Sequence, residues 1–377
     1  MCASLWIISY WYFFLTRFYH GICTGMLFIA VPLYLGEISP KSLRGGIIMM
    51  VLVFYIIGVL LGQILSLQEV FGTQKGVPVL LNLTWVMPVF QILLLPFFPE
   101  SPRYLFIQKK DEVRARQALK KLRDRSDVED EIEELHQEDL VEKAEKNMTP
   151  LKLLLKTPKL RWQVITIIVL MGGQQVDGIS VAYLYKEKIF MSMMLGENEI
   201  HFALIGTTVF YCFSSILGVY FADSKGHRIL LVTGFGICCI ISVLLNMTLG
   251  IETAIPEIVY FTLIFINIFM FGHAIGPGSL PSVLVAELFL QSSRSSAFVI
   301  AGVMKWLTNF LVGVIVLYVE RNLGAYSFTI FCPVLIAIFI YVFKFIPETK
   351  NKTFLDIRRL MGIHNGKKID IKEQTDK

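Results

Sequence analysis

Polarity along this chain alternates between long apolar runs and short charged connections. Nine runs have the length of a bilayer-crossing helix: Trp6–Leu35, Gly46–Leu67, Pro78–Phe98, Trp162–Phe190, Phe202–Ala222, Ile229–Gly250, Ile258–Ala286, Ser296–Val319 and Ser327–Ile346. One polar interval is long, residues 99–160. Within its core, Lys109–Lys146, the pairs Glu112/Arg116, Glu131/Leu135, Ile132/His136 and Glu142/Lys146 fall at helical spacing, which predicts short surface helices. A solvated connector between two membrane halves is the simplest reading of this interval, with an interaction platform as the alternative. The expected organisation is three spans in 1–98, a charged helical connector in 99–160, six spans in 161–346 and a polar tail in 347–377.

Two short patterns occur twice, about 250 residues apart. Glu37-Ile-Ser-Pro-Lys-Ser-Leu-Arg44 returns as Glu287-Leu-Phe-Leu-Gln-Ser-Ser-Arg294, and Pro99-Glu-Ser-Pro-Arg103 returns loosely as Pro347-Glu-Thr-Lys350. Such an internal repeat in an apolar chain predicts a duplicated membrane protein. The copies are unequal: four apolar runs lie between Arg103 and Glu287, but one precedes Glu37. The expectation is a first bundle short of its first three helices.

Composition agrees with the pattern. Of 377 residues 55% are hydrophobic and 17% charged, and mean hydropathy is +0.62, which excludes an ordinary soluble domain. Lys41, Arg44, Arg103, Lys109, Lys110, Lys225, Arg228, Arg294, Lys344 and Lys350 flank alternate connections. The positive-inside rule then sets the 36–45, 99–160, 223–228 and 287–295 connections and the C-terminus in the cytoplasm. The six cysteines mostly fall within apolar runs and form no metal-type C-x-x-C pair. No H-E-x-x-H, G-x-S-x-G or phosphate-binding loop occurs. The chain is therefore not expected to be an enzyme, and no metal, cofactor or nucleic-acid partner is expected.

Polar residues inside the runs are the candidate chemistry, because a charged residue at a bilayer centre costs about 2.5–3.5 kcal/mol on insertion scales. The densest cluster is Gly172-Gly-Gln174-Gln175-Val-Asp177-Gly178-Ile-Ser180. Gln63 stands alone in its run, and Lys305-Trp306-Leu-Thr308-Asn309 forms another group. In Gly272-His273-Ala-Ile-Gly276-Pro277-Gly278-Ser279-Leu-Pro281, the glycines and prolines predict a helix broken into halves. Amides both donate and accept, so they suit paired hydroxyls, and an indole covers the apolar face of a sugar ring. The cluster reads as a cavity for an uncharged, hydroxyl-rich solute. Residue by residue, interhelical hydrogen bonding is an equal alternative.

These residues resemble the facilitative sugar transporters, the sugar-porter branch of the major facilitator superfamily. The resemblance runs from about Arg17 to Phe354 and rests on Pro32-Leu-Tyr34-Leu-Gly36-Glu37 with Arg44-Gly45, Pro99–Arg103, Gln174-Gln175, Gly276-Pro277-Gly278, Glu287 with Arg294, Trp306, Asn309 and Pro347–Lys350. Leu170-Met-Gly-Gly-Gln-Gln175, Gly272-His273-Ala and Leu290-Gln-Ser-Ser-Arg294 are most similar to the fructose-type carriers, as is the small Ser282. The resemblance implies an all-α membrane protein in which two helix bundles rock about a mid-membrane sugar site. It implies a passive uniporter of the plasma membrane whose partners are a hexose and the bilayer. Gln63, Gln174, Gln175, Ser180, His273, Trp306 and Asn309 would line the site, with a helix break at Gly276, Pro277 and Pro281. Glu37, Arg44, Glu100, Arg103, Asp223, Arg228, Glu287 and Arg294 would form a cytoplasmic charge network.

The chain departs from the family pattern at Asp177, Ser180, Tyr211, His227 and Lys305. Asp177 and Lys305 carry opposite charges, and the expectation is that they pair across the cavity. The departures also leave open a second class, a transport-inactive homologue acting as a regulatory membrane partner.

Overall fold

The computed structural model describes residues 2–361 except 41–42, 74–75, 77–78, 81–82, 84–85, 126, 143–159, 193–196, 252–256, 324–326, 351, 353–356 and 358–359. Among the described residues the chain is helical and contains no strand. The helices are α1 (Cys2–Ile38), α2 (Arg44–Leu65), α3 (Val86–Leu94), α4 (Glu112–Arg123), α5 (Glu129–Glu142), α6 (Arg161–Val176), α7 (Ile179–Ser192), α8 (Glu197–Lys225), α9 (His227–Ile251), α10 (Ile258–Ile275), α11 (Leu280–Leu288), α12 (Gln291–Leu323) and α13 (Ser327–Phe345). A π turn, Tyr104–Gln108, precedes α4.

Seven helical stretches among the described residues are long and apolar enough to cross a membrane. Two further apolar helices, Val86–Phe97 and Thr329–Phe345, are shorter. Parts of the run Pro78–Phe98 lie outside the described residues. Large apolar side chains stand outward, among them Phe54, Ile92 and Leu317, the last two each 70% exposed. A water-facing surface of this kind would aggregate, whereas lipid tails accept it. The inward stripe of α2, Ile48, Met49, Val53 and Ile56, is buried, and this helix packs on α8 and α11.

Among the described residues, two of the apolar runs are broken inside the bundle. The run Trp162–Phe190 divides into α6 and α7 at Asp177-Gly178, where Gly178 takes a φ of +98°. A side chain at that φ is strained, so glycine suits the break. The run Ile258–Ala286 divides into α10 and α11 across Gly276–Ser279. Pro281 enters α11 in its first turn, where a missing N–H is not needed. The two breaks meet inside the bundle formed by α6 to α13, where Gln174 reaches the Gly278 carbonyl.

The connector forms a small second core. Leu105, Phe106, Ala115, Leu119, Ile132 and Leu135 are buried together. Asp111 caps α4 by accepting from the Arg114 amide at 3.0 Å, and Lys120, Lys121 and Arg123 complement the dipole of its last turn. Glu112 and Arg116 pair at 3.0 Å, whereas Lys146 lies outside the described residues.

Helix α9 packs closely on α10. A methyl group on Gly234 would stand 2.7 Å from Gly276 Cα and 2.8 Å from the Gly272 carbonyl oxygen. Both are backbone atoms beside the second helix break and have nowhere to go. Gly234→Ala is expected to lower stability by at least about 2 kcal/mol, read as a fall in the thermal unfolding midpoint in detergent. Gly206→Ala, where nothing lies within 4 Å, should be neutral or stabilising by about 0.5–1 kcal/mol.

Candidate functional site

The two helix breaks are joined by side chains. Asp177, at the C-terminal end of α6, is fully buried and His273, on the last turn of α10, is 5% exposed. His273 Nδ1 and Asp177 Oδ2 share a hydrogen bond, while Asp177 Oδ1 accepts from the Ile179 amide at 3.0 Å and so starts α7. Gln174 Nε2 donates to the Gly278 carbonyl oxygen. That carbonyl stands in the interrupted stretch between α10 and α11, where helical bonding cannot reach it. Asn309 Nδ2, on α12, donates to Gln175 Oε1 at 2.7 Å. Tyr211 of α8 sets its ring 6.3 Å from that of His273.

Of the residues expected together, Gln175 and Asn309 bond each other, Gln174 reaches the Gly278 backbone and His273 bonds Asp177. Ser180, the second residue of α7, is half-buried. Gln63, on α2, and Trp306, on α12, make no hydrogen bond to this cluster among the described residues. The Trp306 ring packs edge-on to Phe28 at 6.3 Å. Two acceptors are left over: Gln63 Oε1 and Gln174 Oε1 are buried with no hydrogen-bond partner among the described residues. Buried acceptors of this kind are rare in folded proteins, and each costs about 1–3 kcal/mol unless something donates to it.

The expected pairing of Asp177 with Lys305 is not formed. Lys305 Nζ instead sits over the Phe28 ring at 4.0 Å and 6.0 Å from the Trp306 ring, while Asp177 pairs with His273. Lys305 projects from α12 toward α1, so aromatic faces rather than a carboxylate meet its charge.

At the charged end of the helices a second polar assembly forms. Arg103, 6% exposed, donates from Nη1 to both oxygens of Glu138 at 2.7 Å and from Nη2 to Glu134 at 3.2 Å. Arg123 pairs with Glu131 at 2.7 and 2.9 Å and donates to the Ile38 carbonyl oxygen at 3.0 Å. This ties the connector to the end of α1. Glu37, Ser39, Arg103, Arg123, Glu131 and Glu134 line a cavity of about 260 Å³ there. Arg44 and Arg294 are buried beside the cluster. Glu100 is exposed and pairs loosely with Lys109 at 3.7 Å. Glu287 meets His227 Nδ1 at 3.1 Å, with Thr349 Oγ1 at 3.2 Å from the same nitrogen. Glu348 accepts from the amides of His227 and Arg228 at 2.9 and 3.1 Å and so caps α9. Arg228 Nη2 donates to the Phe343 carbonyl oxygen at 2.9 Å. Asp223 lies on α8, and its side chain is outside the described residues.

The sequence pattern does not by itself place Glu134, Glu138, Thr349 or His227 in this assembly. The signal for the first two is their i, i+4 spacing on one face of α5, which aligns two carboxylates toward one guanidinium.

Burial pushes the Glu138 carboxyl up, but the charges of Arg103, Arg294 and Arg44 outweigh it and hold the group below its ordinary value. Burial pulls Arg103 down, and Glu138 and Glu134 overcome that pull. A depressed folded-state carboxylate stabilises fully above the ordinary carboxylate range and loses that contribution as pH falls through its folded value. Glu138→Gln is accordingly expected to loosen the connector by about 2 kcal/mol. In limited proteolysis this should appear as faster cleavage within 99–160 at neutral pH, and the difference from wild type should fade in acid.

The chain matches the family model described as "Sugar (and other) transporter" over residues 1–361. It is 41% identical over 352 residues to the horse (Equus caballus) protein named solute carrier family 2, facilitated glucose transporter member 5, covering 93% of this chain and 70% of that one. To the human protein named facilitated glucose transporter member 7 of the same family it is 42% identical over 356 residues, covering 94% of this chain and 69% of that one. Among solved structures it is similar to the major facilitator superfamily proton:xylose symporter XylE bound to 6-bromo-6-deoxy-D-glucose, with a TM-score of 0.71 at 20% identity, covering 89% of this chain and 70% of that one. The architecture is the all-helical major facilitator fold, and the chain belongs to the sugar transporter family.

Proposed function

We propose that the chain carries a hexose passively across the plasma membrane by alternating access, with fructose favoured over glucose. The observation that carries this reading is the pair of buried amide oxygens without partners, Gln63 Oε1 and Gln174 Oε1. Gln174 adjoins a further amide pair, Gln175 with Asn309. A solute bearing several hydroxyls donates to such acceptors and accepts from Asn309 and His273, replacing the water it sheds on leaving solution. Nothing in this set calls for a charged or aromatic solute. His273 and the small Ser282, in place of a bulkier indole, favour the fructose ring.

In this reading nine spans cross the bilayer, three in 1–98 and six in 161–346, joined by the connector 99–160 and followed by a cytoplasmic tail from 347. Gln63, Gln174, Gln175, Ser180, His273, Trp306 and Asn309 face the sugar during its passage. The helix break at Gly276, Pro277 and Pro281 supplies the bend about which the site opens. Glu37, Arg44, Glu100, Arg103, Asp223, Arg228, Glu287 and Arg294 form the cytoplasmic latch. Bringing these charges together biases the equilibrium toward the outward-facing state, and separating them releases it.

The test is counterflow in vesicles containing this chain alone. Vesicles preloaded with unlabelled fructose should transiently accumulate labelled fructose, and excess glucose should compete weakly. Gln63→Leu removes an acceptor that holds no protein group, so stability should be unchanged or higher while half-saturation rises about five- to tenfold, the loss of one hydrogen bond. Correctly inserted protein without counterflow would overturn transport and favour the inactive-homologue reading.

A further inference from the structure

Asp177 is the one carboxylate among the described residues that is both fully buried and set within the bundle core. It does not face a solute directly: its surface is fully covered, and its oxygens bond the Ile179 amide and the His273 ring. Its ion-pair partner among the described residues is His273. The other titratable groups around the pair are neutral at ordinary pH: Tyr211 beside the His273 ring, Tyr183 packed edge-on to Tyr211 at 6.4 Å, and Cys238 on α9. Lys186 is buried but lies beyond them, its Nζ over the Tyr183 ring at 4.8 Å.

Charge accounting limits what the pair can be. An aspartate beside a neutral imidazole leaves one uncompensated negative charge in a dry, low-dielectric interior, which is disfavoured. Two arrangements carry no net charge. In one, an imidazolium donates from Nδ1 to the aspartate. In the other, a protonated Asp177 donates from Oδ2 to Nδ1. The proton on the short bond sits on different atoms in the two, yet in both the far nitrogen, Nε2, keeps its hydrogen. The His273 side chain retains 7% of its surface, and Nε2 takes no hydrogen bond among the described residues.

We propose that Asp177 is a positioning residue that holds His273 so that Nε2–H is a fixed hydrogen-bond donor for a hydroxyl or ring oxygen of the transported sugar. The same contact spans the breaks α6–α7 and α10–α11, so the donor is oriented by both. This deepens the transport reading and rests on it for the identity of the acceptor. The state of the ring does not depend on that reading.

The experiment therefore has two arms. In the first, the protein labelled with 15N at its six histidines is observed in detergent, and His273 is assigned by its disappearance in His273→Gln. The proposal expects a protonated, pyrrole-type Nε2 and a strongly downfield proton on the Nδ1 bond, the latter lost in Asp177→Ala. A pyridine-type Nε2 in the wild type overturns the proposal whether or not the chain transports. In the second arm, counterflow is measured for Asp177→Ala, Asp177→Asn, His273→Ala and the double alanine variant. Asparagine accepts from the Ile179 amide and donates to Nδ1, leaving hydrogen on Nε2, so Asp177→Asn should keep half-saturation within about threefold of wild type. Asp177→Ala should raise it about tenfold with little change in maximal rate. In the His273→Ala background the same change should add nothing. An equal effect of Asp177→Ala with and without His273 would assign Asp177 a purely structural role and overturn the proposal. If the wild type shows no counterflow, the transport reading fails and the spectroscopic arm alone decides the state of the ring.

Discussion

Breaking a helix inside hydrocarbon frees backbone groups that no water can reach, and every other feature of this bundle accommodates that constraint. Among the described residues two breaks occur, at Asp177-Gly178 and at Gly276–Ser279. Side chains of the first break link the two. Gln174, from the first, takes the Gly278 carbonyl of the second, and Asp177, from the first, takes both its own helix start and the ring of His273. Together the two breaks create a polar centre in an otherwise apolar bundle. The tight seating of α9 on Gly272 and Gly276 holds the second break in register with the first.

The charged end of the helices solves a different problem. Arg103, Arg44 and Arg294 are buried near one another, which would repel without compensation. The connector brings the carboxylates: α5 sets Glu134 and Glu138 on Arg103, and Arg123 of α4 holds Glu131 while reaching the end of α1. In the second half, Glu348 caps the start of α9 and Glu287 meets His227. The repeated Glu/Arg pattern thus marks two places where charges gather. The second repeated pattern supplies Arg103 to the first place and Glu348 and Thr349 to the second, and the connector adds Glu134 and Glu138.

Much of this is legible in the amino-acid sequence. Apolar run length predicts membrane helices, glycine and proline mark where one of them is interrupted, and the motifs carry a family resemblance that the family match shows to be right. Side-chain pairing is not legible. Asp177 and Lys305 are opposite charges in polar clusters, and sequence offers no reason to prefer His273, 96 residues away, over a lysine. Only packing shows that Lys305 projects toward Phe28 on α1. Likewise, the acidic face of α5 reads as a solvated surface until Arg103 is seen beneath it. The run Trp162–Phe190 reads as one span because it holds no proline, yet a single positive φ at Gly178 divides it.

The central claim is that the two helix breaks form one unit around the solute. Hydrogen–deuterium exchange of the reconstituted protein, with and without saturating fructose, tests it most directly. The account predicts that amides in 172–182 and 272–282 gain protection together and to a similar degree. Protection of one stretch without the other, or of neither while the sugar is demonstrably bound, would contradict it.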